Sequence, residues 1–144
     1  MPRERTQGLT LTKPEKEQIV KRLREVLKAH PSVAFAFVFG SFVEEGPFHD
    51  LDLAVYLNEA VEDPWDTLLD LWEALASQVD LPLDVCLLNE APLALRYRAT
   101  CGRLIYARDD EAEERAYRFI ERTWDEFFDF QPVMRRYIEE LAHA

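Results

Sequence analysis

The sequence predicts a mixed α/β (α+β) fold, a small sheet packed against helices. Three observations carry that reading. Val33 to Phe39 is seven apolar residues in a row, too short for most helices and rich in β-branched and aromatic types, as a strand buried on both faces is. Asp50 to Leu57 alternates, with Leu51, Leu53, Val55 and Leu57 on one face and Asp50, Asp52, Ala54 and Tyr56 on the other. Segments with helical spacing separate such runs, in the order α, β, β, α, β, α, β before a last helix.

Thr12-Lys13-Pro14-Glu15 reads as a capping box that opens the first helix, with Ile19, Val20, Leu23, Val26 and Leu27 on its apolar face. It should stop near His30, because the residue before Pro31 is pushed out of helical geometry. Gly40-Ser41 ends the first strand abruptly. Asp63-Pro64 caps a second helix whose stripe is Trp65, Leu68, Leu69, Trp72, Leu75, Ala76 and Val79. Pro82 introduces a strand from Leu83 to Leu88, a proline-started helix covers Pro92 to Cys101, and Arg103 to Ala107 is a short strand. From Asp109 a helical pattern runs through Ala116, Phe119, Ile120, Trp124 and Phe127. It should break at Pro132 and resume with Met134, Tyr137, Ile138 and Leu141. We read residues 1–144 as one domain with a helical C-terminal segment, 109–144.

About half of the 144 residues are apolar, enough for a real core. The two cysteines, Cys86 and Cys101, lie far apart in apolar periodic segments and read as buried structural thiols of a reduced, cytoplasmic protein. No run approaches the length of a membrane span, and the polar N-terminus lacks the apolar core of an export signal. The formal net charge of −11 repels polynucleotides, whose binding rests on Lys and Arg neutralising phosphates. A nucleotide carried with its metal ions, or a basic protein partner, is compatible with that charge.

Residues two apart in a strand share a face, so Asp50 and Asp52 project together, and like charges so placed call for a cation between them. Asp84, at the start of the next apolar strand, joins them if the two strands are neighbours. Three carboxylates are hard oxygen ligands suited to Mg²⁺, which takes its remaining ligands from water and substrate phosphates. Gly40-Ser41 supplies close backbone approach and donors for a triphosphate. An acidic pair at a strand end, taken alone, is usually a solvated rim; the succession of the three elements is the sharper signal. Arg96, Arg98 and Arg103 follow Asp84 and could reach phosphate, Arg96 or Arg98 foremost. The aromatic residues Trp124, Phe127, Phe128, Phe130 and Tyr137 spread beyond one helical stripe, as a patch for a partner helix or a second copy would.

The segment FVFGSFVEEGPFHDLDLAVYL resembles the signature of the polymerase-β-type nucleotidyltransferase superfamily, and of its minimal, MNT-type members most of all. LDVCLLNEAPLALRYRATCGRLIYARDD resembles the stretch in which those proteins carry a third aspartate and a proline-started helix, so the likeness covers most of the chain. The resemblance implies that Asp50, Asp52 and Asp84 are catalytic and hold Mg²⁺, two ions during catalysis, and that Gly40 and Ser41 contact the phosphates of ATP. It further implies an antitoxin that transfers AMP to a tyrosine of a HEPN toxin partner. Two departures stand out. Only eight residues, Phe42 to His49, separate Gly-Ser from Asp-x-Asp, fewer than the family usually has, and Glu44-Glu45 stands where an Arg-Gly pair is often found. The alternatives are a catalytically degenerate antitoxin that acts by covering its partner, and nucleotidyl transfer to a small molecule.

Overall fold

The structure, a computed structural model, describes residues 8–143. Helix α1 spans Lys13–Lys28, and its start is the capping box the sequence predicts: Glu15 N–H donates to Thr12 Oγ1 at 3.2 Å while Thr12 N–H donates to Glu15 Oε1 at 2.9 Å. Strand β1, Val33–Phe39, is buried at every position. Each large side chain buried there contributes about 1.5–3 kcal/mol, so this strand anchors the molecule. A short 3₁₀ helix, Gly40–Val43, leads through a loop to β2, Leu51–Leu57. Helix α2 is Pro64–Ala76, β3 is Leu83–Leu87, α3 is Leu93–Thr100, β4 is Arg103–Ala107 and α4 is Asp110–Ala142.

The four strands lie in the order β3-β2-β1-β4. β1 pairs antiparallel with β2 and β4, whereas β2 and β3 run parallel, joined by the α2 crossover that parallel pairing requires. One face of the sheet packs against α1 and α2 through Leu23, Leu27, Leu53, Val55, Leu71 and Leu75. The other packs against α3 and α4 through Phe35, Phe37, Ala54, Ala99 and Ala116. Ala54 and Tyr56 therefore sit inside a second core layer, which is why this face of β2 carries polar groups only at its start.

Three expectations are corrected. In α2 the core takes Leu68, Leu71 and Leu75, whereas Trp65, Leu69 and Trp72 are 69%, 55% and 40% exposed. The helix is apolar around most of its circumference, so spacing alone leaves its rotation open; the Trp72 indole N–H, donated to the Leu83 carbonyl at 3.1 Å, ties that side chain to the sheet edge. Helix α4 does not break at Pro132. Residues 128–143 are exposed all round, so the carbonyl that loses its donor to proline faces solvent. Cys101 is exposed at the C-cap of α3, outside any core, while Cys86 is partly buried.

Candidate active site

The end of β1 and the starts of β2 and β3 meet at one end of the sheet. Phe39 is the antiparallel partner of Asp52, and Asp52 is the parallel partner of Asp84. Direct partners share a face, so both carboxylates stand on the face covered by α3 and α4. Asp52 belongs to β2 and is half-buried; Asp50 lies just before the strand and is exposed, as is Asp84. Burial raises the Asp52 pKa, and the charges of Asp84 and Asp50 raise it further, while Arg98 pulls it down. The electrostatics thus group the three aspartates predicted from sequence.

Gly40 follows Phe39 directly, with φ at +77°, a conformation that L side chains rarely adopt. A Cβ placed there would lie 2.5 Å from Oδ2 of Asp52. The backbone at Gly40 therefore presses on the carboxylate, and no larger residue leaves it that space. Ser41 is the second residue of the 3₁₀ turn, and its carbonyl accepts from Glu44 N–H at 3.1 Å. Glu44 and Glu45 are exposed, and the Glu44 carbonyl accepts from Lys16 Nζ at 2.9 Å, which ties the loop back to α1.

The three arginines separate. Arg98 places its guanidinium 5.5 Å from the centre of the Phe39 ring, beside Asp52. Arg96 is held by Glu126 at 3.0 Å and by the Ala91 carbonyl. Arg103 pairs with Glu17 of α1. Only Arg98, of these, keeps its charge near the aspartates. Cys86 shares their face, but burial and the neighbouring Asp52 push its thiol up to about 11, which makes it inert at neutral pH. Sequence reasoning missed Asn89, whose side chain accepts from Leu57 N–H and donates to the Leu57 carbonyl, both at 2.8 Å, finishing the β2 ladder where β3 ends. An asparagine directly after a strand was its only signal.

Among the described residues no three His, Cys, Asp or Glu side chains converge as a ready-made ion cage. The donor set nevertheless fits Mg²⁺: three carboxylates from neighbouring segments, one of them half-buried and disfavoured as an anion by the other two, a cost that a divalent cation cancels. Three carboxylates are hard oxygen donors and suit magnesium rather than zinc.

The model of the family described as "Polymerase beta, Nucleotidyltransferase" matches residues 21–111, a span that includes the Gly-Ser turn and all three aspartates. No curated protein matches the sequence. Among solved structures, a chain of the tri-AMPylated Shewanella oneidensis HEPN toxin in complex with MNT antitoxin superposes with a TM-score of 0.65 at 19% identity, over 88% of this chain and 98% of that one. A chain of the toxin–antitoxin MntA–HepT gives 0.61 at 20% identity, over 91% and 99%. A chain of a toxin–antitoxin with AMP-PNP gives 0.60 at 19% identity, over 83% and 98%. At these identities the likeness is one of fold. No helix among the described residues is long and apolar enough to cross a membrane.

Proposed function

Because this chain belongs to the polymerase-β nucleotidyltransferase family, we propose that it moves AMP from ATP to a tyrosine hydroxyl of a helical, HEPN-type toxin and so serves as its antitoxin in the cytoplasm. The observation that carries this reading is the register of Asp52 against Asp84, with Asp50 two residues ahead and the bare backbone of Gly40 against them. The fold shared with chains from toxin–antitoxin complexes, one of them AMPylated and another holding AMP-PNP, supports the choice of nucleotide and partner.

In the reaction the tyrosine oxygen attacks the α-phosphorus, the bond to the bridging oxygen of the β-phosphate breaks, and pyrophosphate leaves. Asp50, Asp52 and Asp84 would hold Mg²⁺, which supplies charge neutralisation at the phosphates and eases loss of the acceptor proton. Asp84, exposed at the rim, assists that deprotonation. Gly40 and Ser41 receive the triphosphate with backbone N–H groups, and Arg98 offers a cation at the same end of the sheet.

We assign the partner contact to the C-terminal part of α4, with residues 1–144 acting as one catalytic unit and 109–144 as its helical arm. The stripe that packs Ala112, Ala116 and Ile120 on the sheet continues through Phe127, which stacks on the Tyr97 ring of α3, to Phe130, Met134, Ile138 and Leu141, which are exposed. An apolar helical stripe with heptad-like spacing is matched by the helix of an all-helical partner.

A second reading, a degenerate antitoxin that blocks its toxin by contact alone, draws on Glu44 and Glu45, two carboxylates in the loop after Gly-Ser. Purified partner incubated with labelled ATP and Mg²⁺ decides between them. Label on a partner tyrosine that disappears with Asp52→Asn supports transfer, whereas inhibition of the partner without label or ATP supports the second reading.

A further inference from the structure

β3 is an edge strand, and its register fixes which backbone groups remain unused. Leu51 N–H donates to the Pro82 carbonyl and Leu88 N–H to the Val55 carbonyl, each at 2.8–2.9 Å, and the register pairs Leu51, Leu53 and Val55 with Leu83, Val85 and Leu87. In a parallel pair this places the ladder bonds of β3 on residues 82, 84, 86 and 88. Leu83, Val85 and Leu87 therefore direct their N–H and C=O groups away from β2, toward the free side of the sheet. The Leu83 carbonyl is taken by the Trp72 indole. Val85 and Leu87 have no backbone partner among the described residues, so four polar groups stand in an unmatched row.

That row opens onto a cleft between two helices. It borders a cavity of about 820 Å³ whose lining includes Val85 and Leu87 from the strand, Trp65 from α2, Leu95 from α3, and the carboxylates Glu59 and Glu90. Trp65 is the most exposed of the large apolar residues. Donor and acceptor alternating at strand spacing, between apolar walls, are complemented by one kind of ligand, an extended polypeptide. The Glu90 carboxylate at the rim and a net charge of −11 favour a basic one, while Glu59 is paired with Arg115 at 3.4 Å.

Resting on the nucleotide-transfer reading above, we infer that the free edge of β3 receives the acceptor as an added strand: an extended, basic segment whose hydroxyl-bearing residue lies beside Asp84. A strand docked on Val85 and Leu87 runs about 4.8 Å from β3. Its residues alternate faces, so the residue opposite Asp84 turns its side chain to the face on which Asp52 and Asp84 stand. The nucleophile thus arrives by backbone pairing, and the Trp72 indole at Leu83 closes the edge on one side and limits how far the strand can slide. This makes the acceptor a segment able to leave helical structure, distinct from the helix that α4 binds.

The test is amide hydrogen exchange on the native full chain with the peptide Lys-Val-Lys-Tyr-Lys-Val-Lys, and with the same peptide N-methylated at alternate residues so that it cannot donate to an edge. Without peptide the amides of Val85 and Leu87 should exchange quickly, and those of Asp84, Cys86 and Leu88 should be protected. The plain peptide at millimolar concentration should slow Val85 and Leu87 by about tenfold or more, and the methylated one should not. Unchanged exchange at both residues, or equal protection by the two peptides, overturns the edge assignment. Calorimetry of ATP with Mg²⁺ on the same sample separates the two levels: ATP binding without peptide protection sinks the edge alone, and no ATP binding sinks the nucleotide reading it rests on.

Discussion

Asp52 and Asp84 are direct cross-strand partners in the one parallel pair of the described sheet, so two like charges are held side by side by main-chain register. Nothing about either side chain makes that choice. Strand pairing imposes it, and burial of Asp52 adds to its cost.

The first prediction follows from that cost. An aspartate whose pKa is raised in the folded state favours its protonated form there, so its contribution to stability declines as pH rises above the ordinary value of 3.8 and is unfavourable at neutral pH. In chelator-containing buffer at pH 7, Asp52→Asn should raise Tm above the native protein, and the gap should close as pH falls toward 4. Mg²⁺ should then raise the native Tm and leave that of the variant unmoved. A lower Tm for the variant at pH 7 would contradict the charge argument.

Gly40→Ala should cost about 1–3 kcal/mol in denaturant unfolding, because alanine resists positive φ. It should also weaken ATP binding by about tenfold or more, since the new methyl displaces the Asp52 carboxylate. Near-native calorimetry would show that the close approach is unimportant.

The rotation of α2 is checked by a pair of truncations. Leu71→Ala should cost about 3 kcal/mol, as full burial implies. Leu69→Ala, at an exposed position, should cost less than about 0.5 kcal/mol. Comparable losses would restore the stripe that spacing suggests.

Met134→Asp combined with Ile138→Asp should leave thermal unfolding close to native, as both side chains are exposed, and weaken a HEPN-type partner by about a hundredfold in surface binding assays. Unaltered affinity would remove the docking role from α4.

A thiol reagent at pH 8 should label one cysteine quickly, Cys101, and Cys101→Ser should abolish the fast phase. Cys86, with its thiol pushed up to about 11, should react only on unfolding. Two fast thiols would contradict the burial of Cys86.

Much of this structure is legible in the sequence where local rules act alone. The capping box at Thr12, the seven-residue buried strand before Gly40 and the Asp63-Pro64 helix start all depend on neighbours a few residues away. The rest depends on tertiary partners. Leu71 replaces Leu69 in the core because the sheet selects one row from a nearly all-apolar helix. Pro132 stays within α4 because no packed neighbour meets its helix there. That Asp84 stands beside Asp52 requires β3 to pair with β2 and not with β4, which spacing along the chain does not state; the open backbone of Val85 follows from the same pairing.

The α2 crossover also sets an order in time. β1 and β2 are joined by a short loop and close early, bringing Asp50 and Asp52 to Gly40 by local contacts, whereas β3 can pair only after the whole segment from Asn58 to Pro82 has been gathered, the larger entropic toll. Asp84 is thus the last of the three to arrive. A chain still emerging from synthesis, or one whose α2 has come loose, possesses the pair and lacks the third, so completion of the carboxylate set coincides with completion of the fold.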